Sequence, residues 1–296
     1  MKKNKISMSN NNLTWLPAEE MIPKIAQAGF EAMDLKMTYR NIIYRPEEFF
    51  EELDRYARLA AECGLEIGQA HGPYSSWLDK ESDQENVHKA QMLALQGAER
   101  IGVPYLVVHP CVYTWCMGEQ GRKESAEKNL EWFSRYIPFL QNSRVKMCIE
   151  NCYIDDVANG RVMPTFGCDP EEMARLIDAL NERAGKTVFG ACMDTGHCHC
   201  SGGDVVAMAE RLGKRILALH LHENDRNDDY HLPPFTISGG VPWKEFMQTL
   251  GRIGYEGTFN FELDGLVLRK SPEMTDTGMK LIYDIGTHLR ELSKTE

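Results

Sequence analysis

KTVFGACMDTGHCHCSGGDVVAMAERLGKRILALHLHEND, residues 186–225, holds two short β-rich runs, Val188–Asp194 and Ile216–His222, separated by a longer amphipathic stretch. Strand, crossover and second strand make one βα repeat of a parallel sheet. Outward from this unit the alternation continues, with further strands near Lys5–Met8, Ala32–Met37, Glu66–Ala70, Tyr105–His109, Lys146–Asn151 and Thr258–Leu263, eight in all. A complete (β/α)8 barrel takes about 250 residues. The 296 residues, 43% hydrophobic and without a break in composition, therefore predict one α/β TIM barrel domain spanning 1–296.

Local signals agree with that division. Asp169-Pro170-Glu171-Glu172 and Arg45-Pro46-Glu47-Glu48 read as helix starts, with proline in the first turn and acid at the positive end of the dipole. Gly29, Gly64, Gly102 and Gly254 read as helix stops, each followed by a strand. Three stretches lack periodicity, Cys111–Glu124, Cys152–Asp169 and Asn224–Pro242; each follows a strand, where long loops carry function.

A net charge of -11 repels polyanions and disfavours nucleic acid as a partner. No run approaches the roughly 20 apolar residues of a membrane span, and the lysines of Met1–Asn10 are not followed by an apolar segment. Nine cysteines without a CxxC pair fit reduced thiols. The expectation is a cytoplasmic protein without a membrane partner.

Six of the strands end in an ionisable side chain: His71, His109, Glu150, Asp194, His222 and Glu262. In a (β/α)8 barrel those ends converge on one rim, where active sites lie. One such residue is ordinarily a hydrogen-bonded structural group, but several ionised groups around one mouth repel one another unless a cation neutralises them. Glu150, Asp194, His222 and Glu262 offer three carboxylates and an imidazole, a donor set for one divalent ion: Zn2+ or Mn2+ by preference, with Mg2+ or Co2+ as alternatives. His197 and the pair Asp229/His231 lie just beyond strands, at a workable chelate spacing. Cys198, His199 and Cys200 are too close together in sequence for all to aim at one ion. His220 reads as a lower barrel-layer residue, and His88 and His288 as helix-surface positions. Trp15, Trp77, Trp115 and Trp243 follow strands, where an aromatic either covers a sugar face or fills the mouth. Ser238-Gly239-Gly240 reads as a turn rather than a phosphate cradle.

The ordered series His71-Gly72-Pro73-Tyr74, Val108-His109-Pro110, Ile149-Glu150-Asn151, Met193-Asp194-Thr195-Gly196-His197, Leu219-His220-Leu221-His222-Glu223-Asn224-Asp225 and Phe261-Glu262-Leu263 resembles the sugar phosphate isomerase/epimerase superfamily, with its xylose isomerase-like barrel, over nearly the whole chain. That resemblance implies a metal held by Glu150, Asp194, His222 and Glu262. It also implies Glu150 and Glu262 as acid and base in proton transfer through a metal-stabilised enediolate of a sugar, sugar phosphate or polyol. It further implies substrate contacts for His197 and Arg226; His71, His109, Trp15 and Trp115, at or after strand ends, are the other candidates for substrate contact. The same apparatus could serve isomerisation, 3-epimerisation or inosose dehydration, in a homo-oligomer. Endonuclease IV, a three-zinc enzyme acting on abasic DNA, is a rival within the superfamily. Its ligand types match His71, His109, Glu150, Asp194, His197, His222, Asp229, His231 and Glu262, so five of these are additional metal-ligand candidates. Asp228–Trp243, however, is more similar to the DxHxxP…G…W run of sugar isomerases. A non-catalytic metal- or polyol-binding barrel is the third reading.

Overall fold

The structure, a computed structural model, describes residues 4–37, 42–74, 81–111, 118–156, 161–263 and 271–294. Among the described residues the parallel strands are β1 Ile6–Ser9, β2 Ala32–Lys36, β3 Glu66–His71, β4 Tyr105–Val108, β5 Lys146–Glu150, β8 Phe189–Asp194, β9 Ile216–His220 and β10 Phe259–Phe261. They form one eight-stranded sheet in the order β10-β1-β2-β3-β4-β5-β8-β9, as the sequence predicts. Its two edges meet where Leu221 bridges Phe261 and its N–H donates to Asn260 O at 2.8 Å, making a nearly closed barrel.

Helices α1 Ala18–Gln27, α2 Pro46–Glu62, α3 Glu81–Ile101, α4 Gly118–Ser134, α5 Ile137–Leu140, α6 Pro170–Ala184, α7 Thr195–Cys200, α8 Val205–Leu212, α9 Trp243–Ile253 and α10 Thr275–Leu292 alternate with the strands. The main core fills the layer between strands and helices, where Phe133, Phe189, Phe246 and Phe259 are fully buried. Asp169 caps α6 by accepting from Glu171 N at 2.8 Å, whereas Arg45 caps α2 with no side-chain bond and leaves Pro46 to start it.

Side chains alternate along each strand, so every second residue faces the barrel interior. On one side Val107, Cys148, Cys192 and Ala218 make a small apolar floor. On the other the interior is polar: Ser7 Oγ donates to Asn260 Oδ1 at 2.9 Å, and Asn260 Nδ2 and Gln69 Nε2 donate to Asp34 Oδ2 at 3.1 and 3.2 Å.

Three expectations need correction. The seventh barrel strand runs to His220, two residues short of the predicted end, and Leu221 adds a single parallel bridge to Phe261. Cys152–Asp169 contains an antiparallel hairpin, β6 Tyr153–Asp156 and β7 Arg161–Pro164. Cys111–Glu124 is helical from Gly118 onward. Asn224–Pro242 does lack helix and strand, apart from the isolated bridge Glu223↔Leu232. Trp77 and Trp115 lie outside the described residues. No helix among those residues is long and apolar enough to cross a membrane, and their eight cysteines are free thiols.

Candidate metal centre

Glu150 is the hub of the barrel mouth. It ends β5, is 0% exposed, and faces four imidazoles. Its Oε1 lies 2.9 Å from His220 Nδ1 and 3.4 Å from His197 Nδ1, and its Oε2 lies 3.3 Å from Nε2 of both His71 and His109. His220 Nδ1 is also 3.1 Å from Glu262 Oε2 and 3.8 Å from Asp194 Oδ2. One ligand atom each of Glu150, Asp194, His220 and Glu262 thus lie within 4.8 Å of one another. The histidine of this quartet is His220, which lies on the strand itself; the expected His222 shares its strand parity and follows two residues on. The other nitrogen of His220, Nε2, sits 3.3 Å from Asp34 Oδ2, so the polar wall of the barrel orients the ring.

His222 belongs to a neighbouring group with His197, Asp229 and His231. Asp229 Oδ2 is 2.8 Å from His231 Nε2 and 3.2 Å from His197 Nε2, while the His222 and His231 rings stack at 3.8 Å. His222 Nε2 reaches back to Asp194 Oδ2 at 2.9 Å, joining the two groups. Gly196 makes that possible, since a Cβ there would stand 1.9 Å from His222 Cε1. A third group is His71, His109 and Glu150.

Carboxylates and imidazoles here act as counter-ions. Burial alone would raise the Glu150 carboxyl, but His220 and His109 reverse this and hold it well below the usual range. Glu262, likewise buried, is held down chiefly by His220, and Asp229 by His197 and His222. Conversely, burial opposes protonation of His109, yet Cys152 and Glu150 push it up to about 10. Burial also disfavours charge on His231, but Asp229 lifts it to about 9. His197 and His220 are raised well above their ordinary value, against burial, by Asp194 and Asp229 for the former and by Cys192, Glu262 and Glu150 for the latter.

The donor set fits a divalent cation. Oxygen donors with one or more imidazoles suit a hard or borderline ion. Among the described residues the buried Glu150 Oε2 makes no hydrogen bond and has only the ion-pair approaches of His71 and His109, so a cation would satisfy it.

The other expected residues are scattered. Trp15 is 36% exposed in the turn after β1. Arg226 is exposed, with φ 72°, and its Nε meets His199 Nε2 at 3.0 Å, so it is engaged with α7 rather than with the carboxylates. His199 is buried with Nδ1 on Asn224 Oδ1, and Cys198 and Cys200 are buried in α7. His88 is half-buried against Trp132 and Tyr136 rather than on the surface. The sequence reading missed Asp34, a lone acid within an apolar strand, and Cys152, a buried thiol that helps raise His109 and His197.

Residues 22–285 match the family model described as "Xylose isomerase-like TIM barrel", and the chain belongs to that family. It is 24% identical over 248 residues to the D-psicose 3-epimerase of Enterocloster bolteae, covering 81% of this chain and 74% of that protein. Among solved structures, a D-tagatose 3-epimerase-like protein superposes with TM-score 0.75 at 19% identity, covering 97% of this chain and 98% of the other. The IOLI protein with a bound zinc atom superposes with TM-score 0.76 at 12% identity, covering 99% and 100%.

Proposed function

We propose that this member of the xylose isomerase-like TIM barrel family is a divalent-metal-dependent sugar isomerase or epimerase working by carboxylate-mediated proton transfer. The observation that carries the reading is the convergence of Glu150, Asp194, His220 and Glu262 within 4.8 Å at the mouth. These four would hold the ion, with zinc or manganese favoured; the relatives named for 3-epimerase activity and for a bound zinc support the class.

A cation there would supply Lewis-acid polarisation of a substrate carbonyl and hydroxyl. Glu150 and Glu262 approach His220 Nδ1 from two sides, at 2.9 and 3.1 Å. Both are ionised at neutral pH. One takes a carbon-bound proton and the other returns it; where it returns decides between epimer and isomer. His71, His109 and His197 line the same mouth and would bind substrate oxygens.

The test is a panel of ketoses, aldoses and inososes incubated in D2O with the metal-loaded protein. The expected result is deuterium at a carbon next to the carbonyl, abolished by chelation and restored by Mn2+, Zn2+ or Co2+. No exchange with any of them under any metal would sink the reading.

One observation favours a second reading, phosphodiester cleavage at abasic DNA: the groups His71/His109/Glu150 and His197/His222/Asp229/His231 flank the quartet as further cation sites would. Against it stands the net charge of -11. Three metals per chain and nicking of an abasic duplex would support it; one metal and no nicking would exclude it.

A further inference from the structure

The DxHxxP…G…W run of Asp228–Trp243 places Asp229 and His231 beside the quartet, in the group with His197 and His222, but leaves Gly240 and Trp243 without a role. Both meet Glu223, the residue after His222. Glu223 is 1% exposed. Its Oε1 accepts from the backbone N–H groups of Thr236 at 2.6 Å and Ile237 at 3.0 Å, and its Oε2 accepts from Trp243 Nε1 at 2.7 Å. The Thr236 hydroxyl adds a longer contact to Oε1, at 3.4 Å. Among the described residues each hydrogen-bond partner of this buried carboxylate is uncharged. A Cβ on residue 240 would stand 2.6 Å from Oε2, which is why glycine sits there.

We propose that Glu223 is a positioning residue: by gathering the far end of the loop onto its carboxylate it fixes Asp229 and His231 in the site. Its backbone supplies the near anchor, exchanging hydrogen bonds with Leu232 at 2.9 and 3.0 Å, directly beside His231. Asp229 and His231 lie between β9 and these anchors. The loop also holds three non-glycine residues at positive φ, Arg226 at 72°, His231 at 48° and Phe235 at 68°. Such conformations persist only where the surroundings over-determine them. The clamp needs a carboxylate in particular, because both oxygens must accept. A glutamine presents one acceptor and one donor, so in either orientation an NH2 faces an N–H.

The inference rests on the metal reading for its consequence but not for its first test. Hydrogen–deuterium exchange by mass spectrometry on the full chain compares wild type, Glu223→Gln, Trp243→Phe and, as a control, Asp178→Asn on the outer surface. Exchange over 224–243 should rise at least tenfold in Glu223→Gln, less in Trp243→Phe and not in the control. Unchanged peptides from β5 and β8 would show that the barrel is folded. Cobalt titration followed in the visible should show a changed spectrum and binding weakened about 10–100-fold, because His231 stacks on His222, which holds the ligand Asp194 from outside. Unchanged loop exchange overturns the clamp. A loosened loop with wild-type cobalt affinity and spectrum overturns the positioning role and leaves Glu223 merely structural. If wild type binds no cobalt, the metal reading fails separately, and loop exchange alone decides whether Glu223 holds Asp229 and His231.

Discussion

His220 has a nitrogen for each side of the barrel: Nδ1 faces Glu150 and Glu262, and Nε2 faces Asp34 at 3.3 Å. Asp34 is in turn held by Gln69 and Asn260. Asp34→Asn should therefore weaken metal binding about 10–100-fold while sparing the fold, as measured by titration with Co2+. Gly196→Ala attacks the neighbouring group through sterics, since the new methyl would meet His222 Cε1 at 1.9 Å. Overpacking of this kind costs about 1–3 kcal/mol, so the melting temperature should fall and His222 should be displaced in a crystal structure of the variant. The imidazoles also set a pH dependence. His109, pushed up to about 10, and His231, lifted to about 9, hold positive charge beside the quartet at neutral pH and repel a cation until they lose it. Apparent metal affinity should rise from pH 6 toward 9 and level off near 10, read by titration at fixed ionic strength. For the chelated protein the linkage runs the other way: these raised pKa values add stability fully below about 6.5, lost as pH rises through 9 to 10. The lowered carboxyls of Glu150 and Glu262 add stability above about 4.5, lost as pH falls.

At the scale of elements, Asp169 caps α6 and also pairs with Arg122 at 3.0 Å across to α4. The ion pair is half-exposed and contributes little, whereas the cap contributes about 1 kcal/mol; Asp169→Ala should lower the thermal midpoint by roughly 2 °C with metal binding unchanged. Elements like this were legible in sequence because their signals are local: proline after an acid, glycine after an amphipathic run, an apolar run ending in a charge. The β6–β7 hairpin was not, since Tyr153–Asp156 and Arg161–Pro164 carry too few apolar residues to stand out. His220 and His222 could not be told apart for a related reason. Both satisfy the period of two, and the strand ends between them where its pairing with β8 stops at Asp194↔His220, a contact between strands that the sequence does not display. Asp34 was invisible because its partners Gln69, His220 and Asn260 come from three other strands.

Over the whole molecule, 33 basic residues against 44 acidic ones leave an average field hostile to polyanions. The field also favours retention of a divalent cation, and ligand binding to the native state alone stabilises it by about 4 kcal/mol at a thousandfold excess over Kd. Exhaustive chelation should therefore lower the melting temperature by several degrees, and readdition of Mn2+ or Zn2+ should recover it. The barrel adds a mechanical consequence. Its sheet is stitched between β9 and β10 by little more than Leu221, and His220 ends the first of those strands while Glu262 directly follows the second. An ion gripped by both would rivet the stave ends together just where the hoop is thinnest. When it leaves, the amides of Leu221 and Glu262 should be the first of the barrel to exchange, so that breathing begins at the joint the catalyst straddles.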